Sequence, residues 1–208
     1  MQHQGLEEAK PCGSHSTTSR RTGPTEASMT RTITTALLAL TLSTPALAFE
    51  AQSPDLADGK VANDFVFSGF GCTGGNQSPA ITWKDAPEGT KSFAIMVHDP
   101  DAPTGGAGWW HWVVYNIPAA VSSLERGAGS EGGKLPEGAM QNATDFGAPG
   151  WGGPCPPEGD KAHQYNFTVY ALGVEKLEVP EGARASLVGF MVNGNAIGKA
   201  TFSASYGR

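Results

Sequence analysis

The sequence predicts a mostly β protein: an antiparallel β-sandwich with one helix near the C-terminus and long loops. Three observations lead there. Short runs rich in β-branched and aromatic residues recur between Gly, Pro and Asp breaks. The chain carries 28 Gly and 15 Pro in 208 residues, a turn-rich composition that suits strands and loops better than a helix bundle. One late stretch has apolar residues near helical spacing.

Taken in chain order, the predicted strands are VANDFVF (61–67), SFAIMVHD (92–99), HWVVYNI (111–117), QYNFTVYAL (164–172) and TFSASY (201–206). The helix is predicted over 183–198, where Leu187, Phe190, Met191 and Ile197 fall near one face despite several glycines. Residues 118–163 read as mostly loop, and a loop that long in a compact domain usually carries function.

The N-terminal region stands outside this pattern. Residues 1–28 are polar and hold no apolar period. From Met29 the chain reads as an export signal: Arg31 gives a short positive segment, Ile33 to Leu42 an apolar run, and Ala46-Leu47-Ala48 a small-x-small cleavage site. Met29 is therefore read as the true start, residues 29–48 as a signal peptide, and 49–208 as one mature domain, periplasmic or secreted. An amphipathic N-terminal helix is the alternative. The apolar run is too short and too interrupted by Thr to span a membrane. A net charge of −6 with no Lys/Arg cluster argues against nucleic acid and against an acidic membrane surface.

Cys12 falls in the discarded segment. Cys72 and Cys155 remain, both in Gly/Pro-rich loops; an oxidising compartment favours a disulfide, and two free thiols are the other reading.

Period-2 alternation selects the candidate site. Phe93, Ile95, Val97 and Asp99 share one face of their strand. His111, Val113, Tyr115 and Ile117 share another, and His163, Tyr165, Phe167, Val169 and Ala171 a third. Each row is apolar with an ionisable group at one end. Antiparallel pairing brings Asp99, which ends its strand, beside His111 and His163, which begin theirs. Polar groups converging at the mouth of an apolar core are the pattern of a small-ligand pocket. Taken singly, each histidine reads as an ordinary solvated or hydrogen-bonded residue, DPDAP as a turn, and Trp109, Trp110, Trp112 and Trp151 as core.

Two stretches, VHDPDAPTGGAGWWHWVVYNIPA and GGPCPPEGDKAHQYNFTVYAL, closely resemble the signature regions of the phosphatidylethanolamine-binding protein family, in its bacterial, Raf-kinase-inhibitor-like branch. SPAITW (78–83) and SASYGR (203–208) extend the resemblance to the C-terminus. It implies a β-sandwich with a C-terminal helix around an anion pocket lined by Asp99, Asp101, Trp109, His111, Pro157, His163 and Tyr165. Relatives often carry Gly-His in the last helix, whereas Gly194 is followed here by Asn195. The resemblance implies a small anionic ligand, such as phosphate, a phosphoethanolamine-like head group or a carboxylate, with no cofactor.

In this reading two imidazoles and a phenol supply donors, Asp99 orients and charges a histidine, Asp101 does likewise or meets a donor on the ligand, and Trp109 and Pro157 form walls. Affinity is expected to rise as pH falls through about 6 to 7. Four rivals compete. A hydrolase lacks an evident nucleophile, since Tyr165 would have to serve. A divalent metal on Asp99, Asp101, His111 and His163 matches no standard zinc spacing. A carbohydrate-binding module needs its tryptophans on one flat face, yet Trp109 and Trp110 are adjacent. Inhibition of a kinase or protease is permitted by the resemblance, although a fold does not fix a partner. Edge strands also admit a homodimer.

Overall fold

The computed structural model describes Gly23 and residues 47–208. The signal-peptide reading, apart from Leu47 and Ala48, lies outside the described residues, as does Cys12. Every element belongs to the unit Pro45–Arg208.

In chain order the elements are β1 (Glu50–Gln52), β2 (Ser68–Gly69), β3 (Cys72–Thr73), β4 (Ile81–Lys84), β5 (Ser92–Asp99), β6 (Trp109–Pro118), β7 (Ser123–Leu124), β8 (Met140–Gln141), β9 (His163–Leu172), α1 (Ala185–Asn195) and β10 (Ala196–Tyr206). A five-stranded sheet runs β10-β9-β5-β6-β8 and a three-stranded sheet β1-β4-β7, with neighbouring strands antiparallel in both. β2 and β3 form a small separate hairpin.

Alternation on the large sheet builds two cores. Phe93, Ile95 and Val97 of β5 join Tyr165, Phe167, Val169 and Ala171 of β9, and Ile81 and Trp83 of the small sheet, in one buried cluster. Ala94 and Met96 of β5, with Tyr170 and Leu172 of β9, pack on the other face against Val188 and Val192 of α1. Each fully buried large apolar side chain contributes about 1.5–3 kcal/mol, so the central strands are the anchor of the fold.

Several expectations change on contact with the structure. Residues 61–67 do not form a strand. Asn63–Phe65 is a short 3-10 turn with Phe65 N–H bonded to the Ala62 carbonyl at 3.0 Å. Asn and Asp there favour local turn bonding over a ladder, while Phe65 and Val66 still enter the core. The helix ends at Asn195, and Ile197 belongs to β10, which pairs with β9 from Ala196 to Tyr206 rather than over 201–206 alone.

The largest correction concerns β6. Val97 pairs with Trp112 but His98 with Trp110, so His111 is an extra residue opposite β5. This β-bulge resets the alternation. Trp112 and Val114 then face the same core that His111 adjoins, whereas Val113 and Tyr115, expected on His111's face, lie on the helix side. A second bulge, at Asn116 with φ 58°, returns Ile117 to the sandwich core. Among the described residues no helix is long and apolar enough to cross a membrane.

Candidate functional site

A cavity of about 200 Å³ opens where β5 ends and β6 and β9 begin. That is below the range of about 300–1,000 Å³ typical of sites for drug-sized ligands. Asp99, Trp109, His111, Pro157, His163 and Tyr165, six of the seven residues singled out from the sequence, line it.

Asp99 is buried and both of its carboxylate oxygens have partners within the protein. One oxygen accepts from His163 Nδ1 at 2.8 Å, and the other accepts the backbone N–H groups of Asp101 at 2.8 Å and Ala102 at 3.1 Å. It therefore closes the DPDAP turn and fixes His163 at once. The remaining nitrogen of His163, Nε2, lies 3.7 Å from the Asp160 carboxylate.

His111 is held differently. Its Nδ1–H donates to the Gly152 carbonyl at 2.6 Å, which leaves Nε2 as the bare, acceptor nitrogen of a neutral ring. Burial pushes its pKa down to about 4, opposed only in part by the Gly152 bond and the Asp99 charge. The expectation that this imidazole titrates near 6 to 7 is therefore corrected: His111 is neutral at pH 6, and it accepts rather than donates. Tyr165 stands edge-on to it, ring centroids 5.0 Å apart. Burial, with Asp99 adding to it, pushes the Tyr165 phenol up and keeps it protonated.

His111 Nε2 and Tyr165 Oη are both buried without a hydrogen-bond partner. Buried polar groups nearly always have one, in protein, water or ligand. Here two orphans belong to neighbouring residues of one cavity.

Asp101 stands apart from the lining. Its carboxylate accepts from the Gln164 backbone N–H at 2.9 Å and Lys161 Nζ at 3.0 Å. The Gln164 bond first, then Lys161, holds its acidity below the usual carboxylate range. It ties the DPDAP turn to the start of β9 and does not reach the cavity.

The walls include residues that sequence reasoning missed. Phe146 packs edge-on against Trp109 at 5.5 Å and against His111 at 5.4 Å. Phe70, with φ 53° and 68% exposed, stands at the mouth. No periodic pattern marks either, since both sit in loops. Cys72 and Cys155 form a disulfide that links the Phe70 loop to Pro156 and Pro157. Arg208 adds a second brace, donating to the Pro156 carbonyl at 2.8 Å and the Gly71 carbonyl at 3.2 Å. Among the described residues the lining contains no Lys or Arg, so any positive charge facing a ligand comes from imidazole. No group of three or more His, Cys, Asp or Glu is gathered as a metal site among the described residues.

Comparison with known proteins gives this geometry a context. The family described as phosphatidylethanolamine-binding protein matches residues 52–207. The UPF0098 protein YbcL of Escherichia coli is 51% identical over 176 residues, covering 84% of this chain and 96% of YbcL. Its crystal structure superposes with a TM-score of 0.74 over 78% of this chain and 99% of that one. YbhB of the same organism is 47% identical, covering 74% of this chain and 97% of YbhB. A Mycobacterium tuberculosis protein carrying a lipoprotein name, LppC, is 38% identical over 68% of this chain and 65% of its own length.

Proposed function

The chain belongs to the phosphatidylethanolamine-binding protein family, and from that premise we propose that it binds, without turning it over, a small anion carrying a phosphate-type group. The observation that carries the reading is the pair of orphaned buried atoms, His111 Nε2 and Tyr165 Oη, beside the Asp99–His163 pair. Tyr165 O–H donates to an anionic oxygen. His163 is held at the cavity wall by its Nδ1–H bond to Asp99. His111 Nε2 accepts, which selects an anion that brings its own proton. A monoprotonated phosphate group has both faces: P–O⁻ for the donors and P–OH for His111. Trp109 and Pro157 exclude water from these bonds and so strengthen them.

Two features support a non-catalytic role. The Tyr165 hydroxyl, whose ring stands edge-on to His111, is pushed away from ionisation by its burial. Both oxygens of Asp99 are already held by bonds within the protein, to His163 and to the backbone of its own turn. Export to the periplasm or the medium is part of the same reading. It is supported by the Cys72–Cys155 disulfide, which suits an oxidising compartment, and by the lipoprotein name of a relative.

Calorimetric titration with phosphate and phosphoethanolamine, beside a His111→Ala/His163→Ala variant, tests the proposal. Binding of either ligand that disappears in the variant is the expected result. No binding by the unaltered protein refutes it and moves a protein partner to the front.

A further inference from the structure

Phe146 lines two cavities. One side of its ring closes the pocket around His111 and Tyr165; it also bounds a separate cavity of about 380 Å³, where Gln141, Ser130 and Glu131 stand among apolar residues such as Phe67 and Trp151. The ring sits directly on Gly152, where an added Cβ would fall 2.3 Å from it. Gly152 is also the residue that holds His111, by its carbonyl at 2.6 Å and by its N–H, which donates to the His111 carbonyl at 2.9 Å. The two cavities thus share one wall, Phe146, whose ring rests on the glycine that anchors His111. Phe146 stands on a tight turn, with Gly147 N–H bonded to the Thr144 carbonyl at 3.0 Å and Gly147 at φ 85°.

The second cavity has a definite polarity. Ser130 Oγ is satisfied within the protein, donating to the Asn76 carbonyl and accepting from Ser78 N–H. Gln141 Oε1 accepts the buried Trp112 indole N–H at 2.6 Å, which fixes the amide orientation and turns its NH₂ outward from that bond. Glu131, exposed, adds a carboxylate acceptor at the rim. A donor amide and an acceptor carboxylate, with no cation beside them in the lining, suit neutral hydroxyl groups, each of which donates and accepts.

We infer that the cavity behind Phe146 is an extension subsite for the hydroxyl-bearing alcohol of a phosphomonoester, so that a sugar phosphate is bound in preference to free phosphate. This rests on the phosphate-group reading of the first pocket. The phosphoryl group sits by His111 and Tyr165, and the polyol passes Phe146 to meet Gln141 and Glu131.

The test is calorimetric titration of the protein at pH 6 with inorganic phosphate and with glucose 6-phosphate, repeated in Gln141→Glu and Glu131→Gln. Gln141→Glu keeps an acceptor for Trp112 and replaces the amide donor with a charged oxygen. Glucose 6-phosphate is expected to bind about tenfold more tightly than phosphate, the order two added hydrogen bonds provide. Each variant is expected to lose most of that gain, read as the ratio of the two affinities within the same variant, so that a change of charge acting on both ligands cancels. Equal affinity for the two ligands, or a gain that survives both substitutions, overturns the extension and leaves the phosphate pocket standing. Failure of both ligands to bind overturns the two readings together.

Discussion

Strand β6 bulges twice, and the two bulges make a controlled comparison. At Asn116 the extra residue is buried and both polar atoms of its side chain are partnered: Oδ1 accepts Leu177 N–H at 2.8 Å and Nδ2 donates to the Leu177 carbonyl at 3.3 Å. At His111 the extra residue is equally buried, but only Nδ1 is partnered, and Nε2 is left bare beside a cavity. The same backbone device thus serves two ends. A closed bulge locks a neighbouring segment in place. An open one holds an unsatisfied atom where a ligand can reach it, which is how bulges near sites re-aim a side chain.

Breaking the closed bulge has the larger effect on stability. Asn116→Ala strands both Leu177 backbone groups in the interior and places Ala in the left-handed region that Asn tolerates. Chemical denaturation is expected to show a loss of about 4 kcal/mol, from two lost buried bonds and about 1 kcal/mol of backbone strain. Asn116→Gly is expected to recover only the strain. Phosphate affinity, measured on the folded fraction, should be unmoved by either.

Acid acts on the open bulge instead. The unfolded chain protonates His111 below its ordinary pKa of 6.5, whereas the native ring resists until about 4. Stability therefore falls as pH drops through that window, by at most about 3 kcal/mol at 1.36 kcal/mol per unit. Denaturation curves at pH 7 and pH 4 should differ accordingly, and His111→Gln should flatten the difference. An undiminished acid loss in that variant would assign it to other groups.

The smallest effect has the opposite sign. Tyr165→Phe removes a buried, unpartnered hydroxyl, so the unliganded protein should gain about 1 kcal/mol or stay level. The same change should weaken phosphate binding. At the closed bulge, by contrast, deleting the polar group can only destabilise.

Much of this was legible in the sequence. Strands β5 and β9 alternate cleanly, so Asp99, His163 and Tyr165 could be put at the cavity end of the sheet from pattern alone. β6 could not be read that way. A bulge inserts one residue without any compositional mark, so Val113 and Tyr115 were assigned to the wrong face while His111 itself was rightly grouped with Asp99. Residues 61–67 show the opposite failure: apolar content looked like a strand, but Asn63 and Asp64 turned the backbone on itself. Asp101 was expected in the pocket from its place in DPDAP. Its side chain is spent on Gln164 and Lys161, which a motif does not reveal. Phe146 and Gly152 reach the site from an irregular loop, where no period exists to predict a contact.

The central claim is that the open bulge presents His111 as a neutral acceptor, so the ligand must carry its own proton. Calorimetric affinities for phosphate and sulfate at pH 6 test it most directly, because sulfate matches phosphate in shape but has no proton to give there. Phosphate is expected to bind about tenfold or more tightly, since a buried acceptor left unpaired costs that much. The gap should narrow toward pH 4, where His111 takes up its own proton. Equal affinities at pH 6 would contradict the account.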